Sequence, residues 1–316
     1  MTLDRNASRI LQMLATAGGG AAQSYDVAAV RRSMLELARA LDPREPPAVL
    51  VDDRSLPGPG GALLLRRYAP AGTPDASQGP GLLYFHGGVG VFGSVQTHDA
   101  VCRMLCADGG LRVLSLEYRL APEHPAPAAL EDAWAAAQWI CRQAAGLGLE
   151  HGRIAVGGDS AGATLAAAVT QRARAQGAPA LAAQLLLCPV TDLCAATASR
   201  GEFAQGYFPS GALLRWAVDL ACPAGVDRRD PQLSPLRAAD FAGLPAAVIH
   251  TAQYDPFRDE GAAYAEALRG AGVRVAYACH PGLIHHYYGM AGAIPAARAA
   301  LRQAALELRQ LLDGAR

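Results

Sequence analysis

The chain of 316 residues has no surplus of either charge: 28 basic residues face 28 acidic ones, and the formal net charge is zero. With a pI near 7.1 it offers no electrostatic footprint for nucleic acid or an anionic membrane. Lysine is absent and all 28 basic residues are arginine. That reads as coding bias and bears on no function. No apolar run approaches the eighteen residues that a membrane span requires. The stretch 10–17 is apolar and ends in Ala15-Thr16-Ala17, but Asp4 ahead of it, Gln12 inside it and its shortness argue against a secretory leader. Seven cysteines, an odd number, form no CxxC pair and have mostly apolar neighbours. A disulfide framework or a zinc site is therefore not expected, and buried thiols in a reducing compartment, the cytoplasm by default, fit better. No repeat or low-complexity linker divides the chain, so 1–316 is expected to be a single domain.

What is present is an alternation of short apolar runs with longer helical patterns. Residues 1–45 carry Ile10, Met13 and Leu14, then Val27, Val30, Met34, Leu37 and Leu41, at helical spacing. Gly18, Gly19 and Gly20 break the two segments, and Pro43, Pro46 and Pro47 end the second. Strands are predicted at 49–52, 62–68, 81–85, 112–116, 153–156, 183–187, 246–250 and 274–278. Helices are predicted at about 98–108, 128–145, 161–176, 259–271 and 292–313. Such alternation implies an α/β fold: a mostly parallel sheet with helices on both faces and an antiparallel hairpin at one edge. The stretch 195–232 interrupts the pattern with aromatics and a helical run at 210–221, as a lid over a site would.

The chemistry concentrates at Gly158-Asp159-Ser160-Ala161-Gly162. A strand leads into this GxSxG and a helix leaves it, which is the setting of a nucleophile elbow. The glycines let strand and helix pass closely, and the helix N-terminus favours negative charge near the serine oxygen. A second signal is the strand ending in His86-Gly87-Gly88-Val89-Gly90. Backbone amides there, those of Gly88 and Val89 together with that of Ala161, are candidate donors to a developing oxyanion.

A serine hydroxyl needs a base, and the base an orienting carboxylate, in the order serine, acid, histidine. After Ser160 only His250, His280, His285 and His286 remain. His250 falls inside a predicted strand and reads as core, while His285 and His286 sit after the last strand, where the base belongs. Asp255 directly follows a predicted strand, whereas Asp259 and Glu260 fall at a helix start, where acids favour the dipole.

These residues resemble the hormone-sensitive-lipase-like (family IV) carboxylesterases of the α/β-hydrolase fold. The resemblance rests on HGGVGVFGSVQTHD at 86–99, EYRLAPEHPAPAALED at 117–132, GDSAG at 158–162, YDPFRDEG at 254–261 and PGLIHHYYGM at 281–290, in that order. It implies a Ser160–Asp255–His285 triad and a helical cap formed by about 1–45 and 195–232. It also implies hydrolysis of short- to medium-chain acyl esters without cofactor or metal, and structural roles for Arg119, Glu123 and Asp132. Phe92, Phe208, Leu213 and Trp216 are candidates for the substrate pocket. The expected partner is a small-molecule ester, with no nucleic acid and no membrane span; a homodimer is compatible with the chain.

Three positions depart from the family pattern. Val89 stands where a third glycine is usual, and a β-branched residue tolerates positive φ badly. His285-His286-Tyr287 replaces the usual His-Gly-Phe, which leaves His286 as a competing base. Ala163-Thr164 follows the elbow where Gly-Asn is common. Two other readings use the same scaffold. One is a hydrolase of amides, carbamates or lactones. The other is a non-catalytic ligand-binding protein.

Overall fold

The computed structural model describes residues 2–17, 25–73 and 77–315. Strands β1 (Val49–Gly58), β2 (Gly61–Pro70), β3 (Gly79–Phe85), β4 (Arg112–Glu117), β5 (Leu149–Asp159), β6 (Ala183–Leu187), β7 (Ala246–Tyr254) and β8 (Val275–Ile284) form one sheet. Their order is β1-β2-β4-β3-β5-β6-β7-β8. The hairpin β1–β2 is antiparallel, β2 meets β4 antiparallel, and every later pairing is parallel. All residues of β3 and β6 are buried, as expected of strands covered on both faces. β1 runs six residues past the predicted 52. Its polar stretch Asp53, Arg54 and Ser55 is an edge strand paired with β2 and mostly open to solvent.

Helices α1 (Arg5–Ala17), α2 (Val27–Leu41), α3 (Asp99–Gly109), α4 (Ala128–Arg142), α5 (Ala161–Gln176), α6 (Ala198–Glu202), α7 (Gly211–Ala221), α8 (Arg258–Gly270) and α9 (Pro295–Asp313) complete the fold. α9 begins at Pro295 rather than at the predicted 292, because proline is suited to a first helical turn where no amide is needed. The short α6 has no counterpart among the predicted elements; it is started by the Thr197 side chain accepting from the Arg200 amide. The predicted glycine break at 18–20 lies outside the described residues.

Two apolar clusters sandwich the sheet, one built with α3 and α9, the other with α4, α5 and α8. α1 belongs to the first: Ala7 and Ile10 are buried in it, and the Asp4 amide donates to Gly282 O at 3.0 Å. This differs from the expectation that all of 1–45 lies in the cap. A third cluster joins Val27, Val30 and Met34 of α2 to Leu213 and Ala217 of α7, over Val91 and Phe92. α2 and α7 therefore meet above the turns that carry the site. Among the described residues no helix is long and apolar enough to cross a membrane.

Candidate active site

β5 delivers Ser160 to a turn that α5 leaves at once. Ser160 holds φ 51° and ψ −120°, a conformation costly for a side chain but one that lifts its oxygen off the strand end. The crossing is possible because Gly158 and Gly162 flank it: a Cβ at either would strike the Phe85 carbonyl. The Ser160 amide donates to Leu187 O at 2.8 Å, which ties the turn to β6.

The turn after β7 brings in Asp255, fully buried, whose Oδ1 accepts from the Phe257 amide at 2.7 Å. Its Oδ2 lies 2.9 Å from His285 Nδ1, and His285 Nε2 lies 3.1 Å from Ser160 Oγ. An acid, an imidazole and a hydroxyl thus form one hydrogen-bonded chain. Ser160 and His285 are only 5% and 3% exposed, so little bulk water competes for these bonds. His285 stands edge-on to Phe257, 5.0 Å between centroids, which limits its rotation. His286 is not on this chain. It takes φ 66°, and its ring faces His98 and Tyr288. Burial first, and His98 second, push its pKa down to about 3.

On the other side of Ser160 the turn 88–90 is left-handed throughout, with φ of 119°, 55° and 71° at Gly88, Val89 and Gly90. Gly88 O accepts from the amides of Val91 and Phe92 at 2.9 and 3.0 Å, which fixes the turn. Val89 therefore has the positive φ that a β-branched side chain resists. Ala161 is the first residue of α5, so its amide has no acceptor within the helix. Beneath the turn, His86 is fully buried, stacks on Tyr118 at 4.2 Å, and has its pKa driven to about 3 by burial and then by His98. Tyr118 donates to His86 O at 2.6 Å.

Two cavities flank Ser160. One is walled by Met34, Leu37, Phe92, Phe208 and His286, with Ser160 and His285 in its floor. The other is almost wholly apolar, walled by Ala126, Leu165, Leu214, Val218 and Phe257, and contains Ala161. Val89 lines both. Phe92 and Phe208 thus face the site. Leu213 and Trp216 do not line either cavity: Leu213 is buried in the α2–α7 cluster, and Trp216 packs on Tyr25 at 5.2 Å. α7 turns the next positions, Leu214 and Val218, toward the site instead.

The structure adds residues that sequence reasoning passed over. Asp159 accepts from Tyr84 Oη at 2.6 Å, lies 3.2 Å from His98 Nε2, and lines the cavity that holds Ser160 and His285. Arg119 grips Asp132 with three side-chain bonds of 2.7 to 3.1 Å, as the resemblance implied, while Glu123 binds Arg31 of α2. Cys188, at φ 45°, lies beside Asp255 and His285. Burial, followed by the Asp255 charge, holds its thiol protonated. Among the described residues the seven cysteines are all free.

Residues 82–289 match the family model described as the α/β-hydrolase fold. The chain is 41% identical over 296 residues to esterase LipI of Mycobacterium tuberculosis, spanning 91% of this chain and 89% of that one. An ester hydrolase from the metagenome of Lake Arreo superposes with a TM-score of 0.93 at 38% identity, covering 98% of this chain and 99% of the other. A hyperthermophilic esterase from Pyrobaculum calidifontis superposes with a TM-score of 0.92 at 37% identity, with 98% and 99% covered. With its fold, its elbow and its relatives in agreement, the chain belongs to the hormone-sensitive-lipase-like branch of the α/β-hydrolase family.

Proposed function

We propose that the protein is a serine carboxylesterase acting on small-molecule esters with short to medium acyl chains. His285 Nε2 takes the proton of Ser160 as Oγ attacks the ester carbonyl, and Asp255 stabilises the imidazolium that results. The oxyanion rests on the amides of Gly88, Val89 and Ala161, fixed dipoles in a site with little water. His285 then protonates the leaving alkoxide. Water, deprotonated by the same histidine, releases the acid from Ser160. One cavity takes the acyl chain and the other the alcohol, with the cap of α2 and α7 closing over them. No cofactor or metal enters these steps. Cytoplasmic residence is the reading that the unpaired cysteines support.

The observation that carries this reading is the unbroken hydrogen-bond chain from Asp255 through His285 to Ser160, set between two apolar cavities. A phosphonate ester with a p-nitrophenol leaving group tests it. One equivalent of p-nitrophenol should be released and the mass added to the peptide containing Ser160. Labelling elsewhere, or none, contradicts the assignment.

A further inference from the structure

Behind the nucleophile lies a group of side chains that ester hydrolysis does not use. His98, Asp159 and His286 each offer a ligand atom, all within 4.8 Å of one another. Thr97 Oγ1 donates to Ser94 O at 2.9 Å and lies 2.8 Å from His98 Nδ1. His98 Nε2 lies 3.2 and 3.3 Å from the Asp159 oxygens. A positive centre holds nitrogen and carboxylate together at that distance, and a proton or a metal ion can supply it. Tyr84 holds the carboxylate from behind at 2.6 Å, and Thr97 holds the imidazole, which is the outer support that metal ligands commonly receive.

His286 is the third member, and it stands where the family pattern usually has glycine. Its backbone keeps the glycine-like φ of 66°, and its ring stands edge-on to His98, 5.9 Å between centroids. It lines the cavity that reaches Ser160, so an ion has a way in and a fourth coordination position open to that cavity.

We propose that His98, Asp159 and His286 bind a borderline divalent transition metal, Zn²⁺ foremost, and that the bound ion inhibits the enzyme. Two imidazoles and a carboxylate are ligands such ions accept, and bonds of about 2.1 Å place tetrahedral ligands about 3.4 Å apart. The half-buried His286 ring closes the difference by moving toward the other two. That motion pulls on its neighbour His285. It also sets a positive charge beside the imidazolium that His285 must become.

The test uses the full chain with Cys194→Ser and Cys279→Ser, which removes the two exposed thiols. Zn²⁺ is titrated calorimetrically into chelator-treated protein, and Co²⁺ is followed by its visible absorption. His286→Gly and His286→Asn are compared, since both residues accept positive φ. The expected result is one ion per chain, binding at least tenfold weaker in both variants, and Zn²⁺ inhibition weakened in parallel when each is scored against its own metal-free rate. No binding in the parent protein, or equal binding in the variants, overturns the site. Binding lost in the variants with turnover indifferent to Zn²⁺ in the parent overturns the inhibitory role alone. The binding arm does not depend on Ser160 being the nucleophile.

Discussion

Arg31 of α2 donates its Nε–H to the carbonyl of Val91 at 2.8 Å, two residues beyond Val89, which lines a cavity together with Ser160. The same guanidinium reaches Ala121 O at 2.9 Å and both oxygens of Glu123 at 2.8 Å. Glu123 is about half exposed, so the ion pair itself contributes little. The two carbonyl bonds matter more, because they fasten α2 to the segment that follows the turn at 88–90. Arg31→Ala is expected to raise KM on p-nitrophenyl butyrate about fivefold or more, with a smaller fall in kcat. Steady-state kinetics check this, and an unchanged KM would detach the cap from substrate binding.

Val89 combines strain with position. An L-residue at positive φ costs about 1–2 kcal/mol, and glycine in its place costs about 0.5–1 kcal/mol through the unfolded chain. Val89→Gly should therefore change stability by no more than about 1.5 kcal/mol in denaturant unfolding. Its effect should appear in selectivity, since the side chain lines both cavities. The ratio of kcat/KM for a bulky ester over p-nitrophenyl acetate is expected to rise about tenfold, the scale of one or two methyl groups in a pocket.

Arg200 and Glu260 form a deeply placed pair near the site, in which burial pushes the Glu260 carboxyl up to about 8. Glu260 is fully buried and accepts from Arg200 Nε and Nη2 at 3.0 and 2.8 Å and from the Thr191 amide at 3.1 Å. Arg200→Ala leaves a buried carboxyl without its guanidinium bonds and should destabilise the protein by about 1–3 kcal/mol in urea unfolding. Adding Glu260→Gln should recover part of the loss. A double variant no better than the single one would show that the packing of Arg200 over Phe257, not the charge, is what matters.

Acid should unfold the protein in part through histidines held neutral. His280, whose Nε2 lies 2.9 Å from His250 Nδ1, is pushed from 6.5 to about 4 by burial first and His250 second. A histidine lowered on folding leaves the unfolded state to bind the extra proton. Its stabilisation is complete above pH 6.5 and is lost as pH falls from there toward 4. The slope is at most about 1.4 kcal/mol per pH unit for each such group. His280→Gln should flatten the fall in unfolding free energy between pH 6.5 and 4.5 by up to that amount. Parallel curves for the two proteins would contradict the assignment.

Much of the fold could be read from local pattern. Strand β6 and helix α5 fall on the predicted residues, because each is an unbroken run closed by glycine or proline punctuation. β1 could not be bounded, since an edge strand with both faces half wet carries no apolar period across Asp53 and Arg54. Ser160, Asp255 and His285 stand in motifs whose chain order reflects the fold, so their meeting was legible. Which residues of α7 face the cavity was not. Leu213 and Leu214 are one position apart, and the sequence does not record how the helix is rotated over the site. The contact of His98, Asp159 and His286 is likewise tertiary, joining segments 61 and 127 residues apart in the numbering. Arg31's hold on Val91 and Ala121 is hidden for the same reason.

Ser160 is proposed as the nucleophile of an esterase. Wild type and Ser160→Ala should be assayed side by side on p-nitrophenyl esters from acetate to palmitate, with circular dichroism confirming that both are folded. With Ser160 as nucleophile, the wild type turns over the short and medium chains and the variant loses at least about a thousandfold in kcat. A folded variant within tenfold of the wild type, or a wild type inert toward every ester, would contradict it.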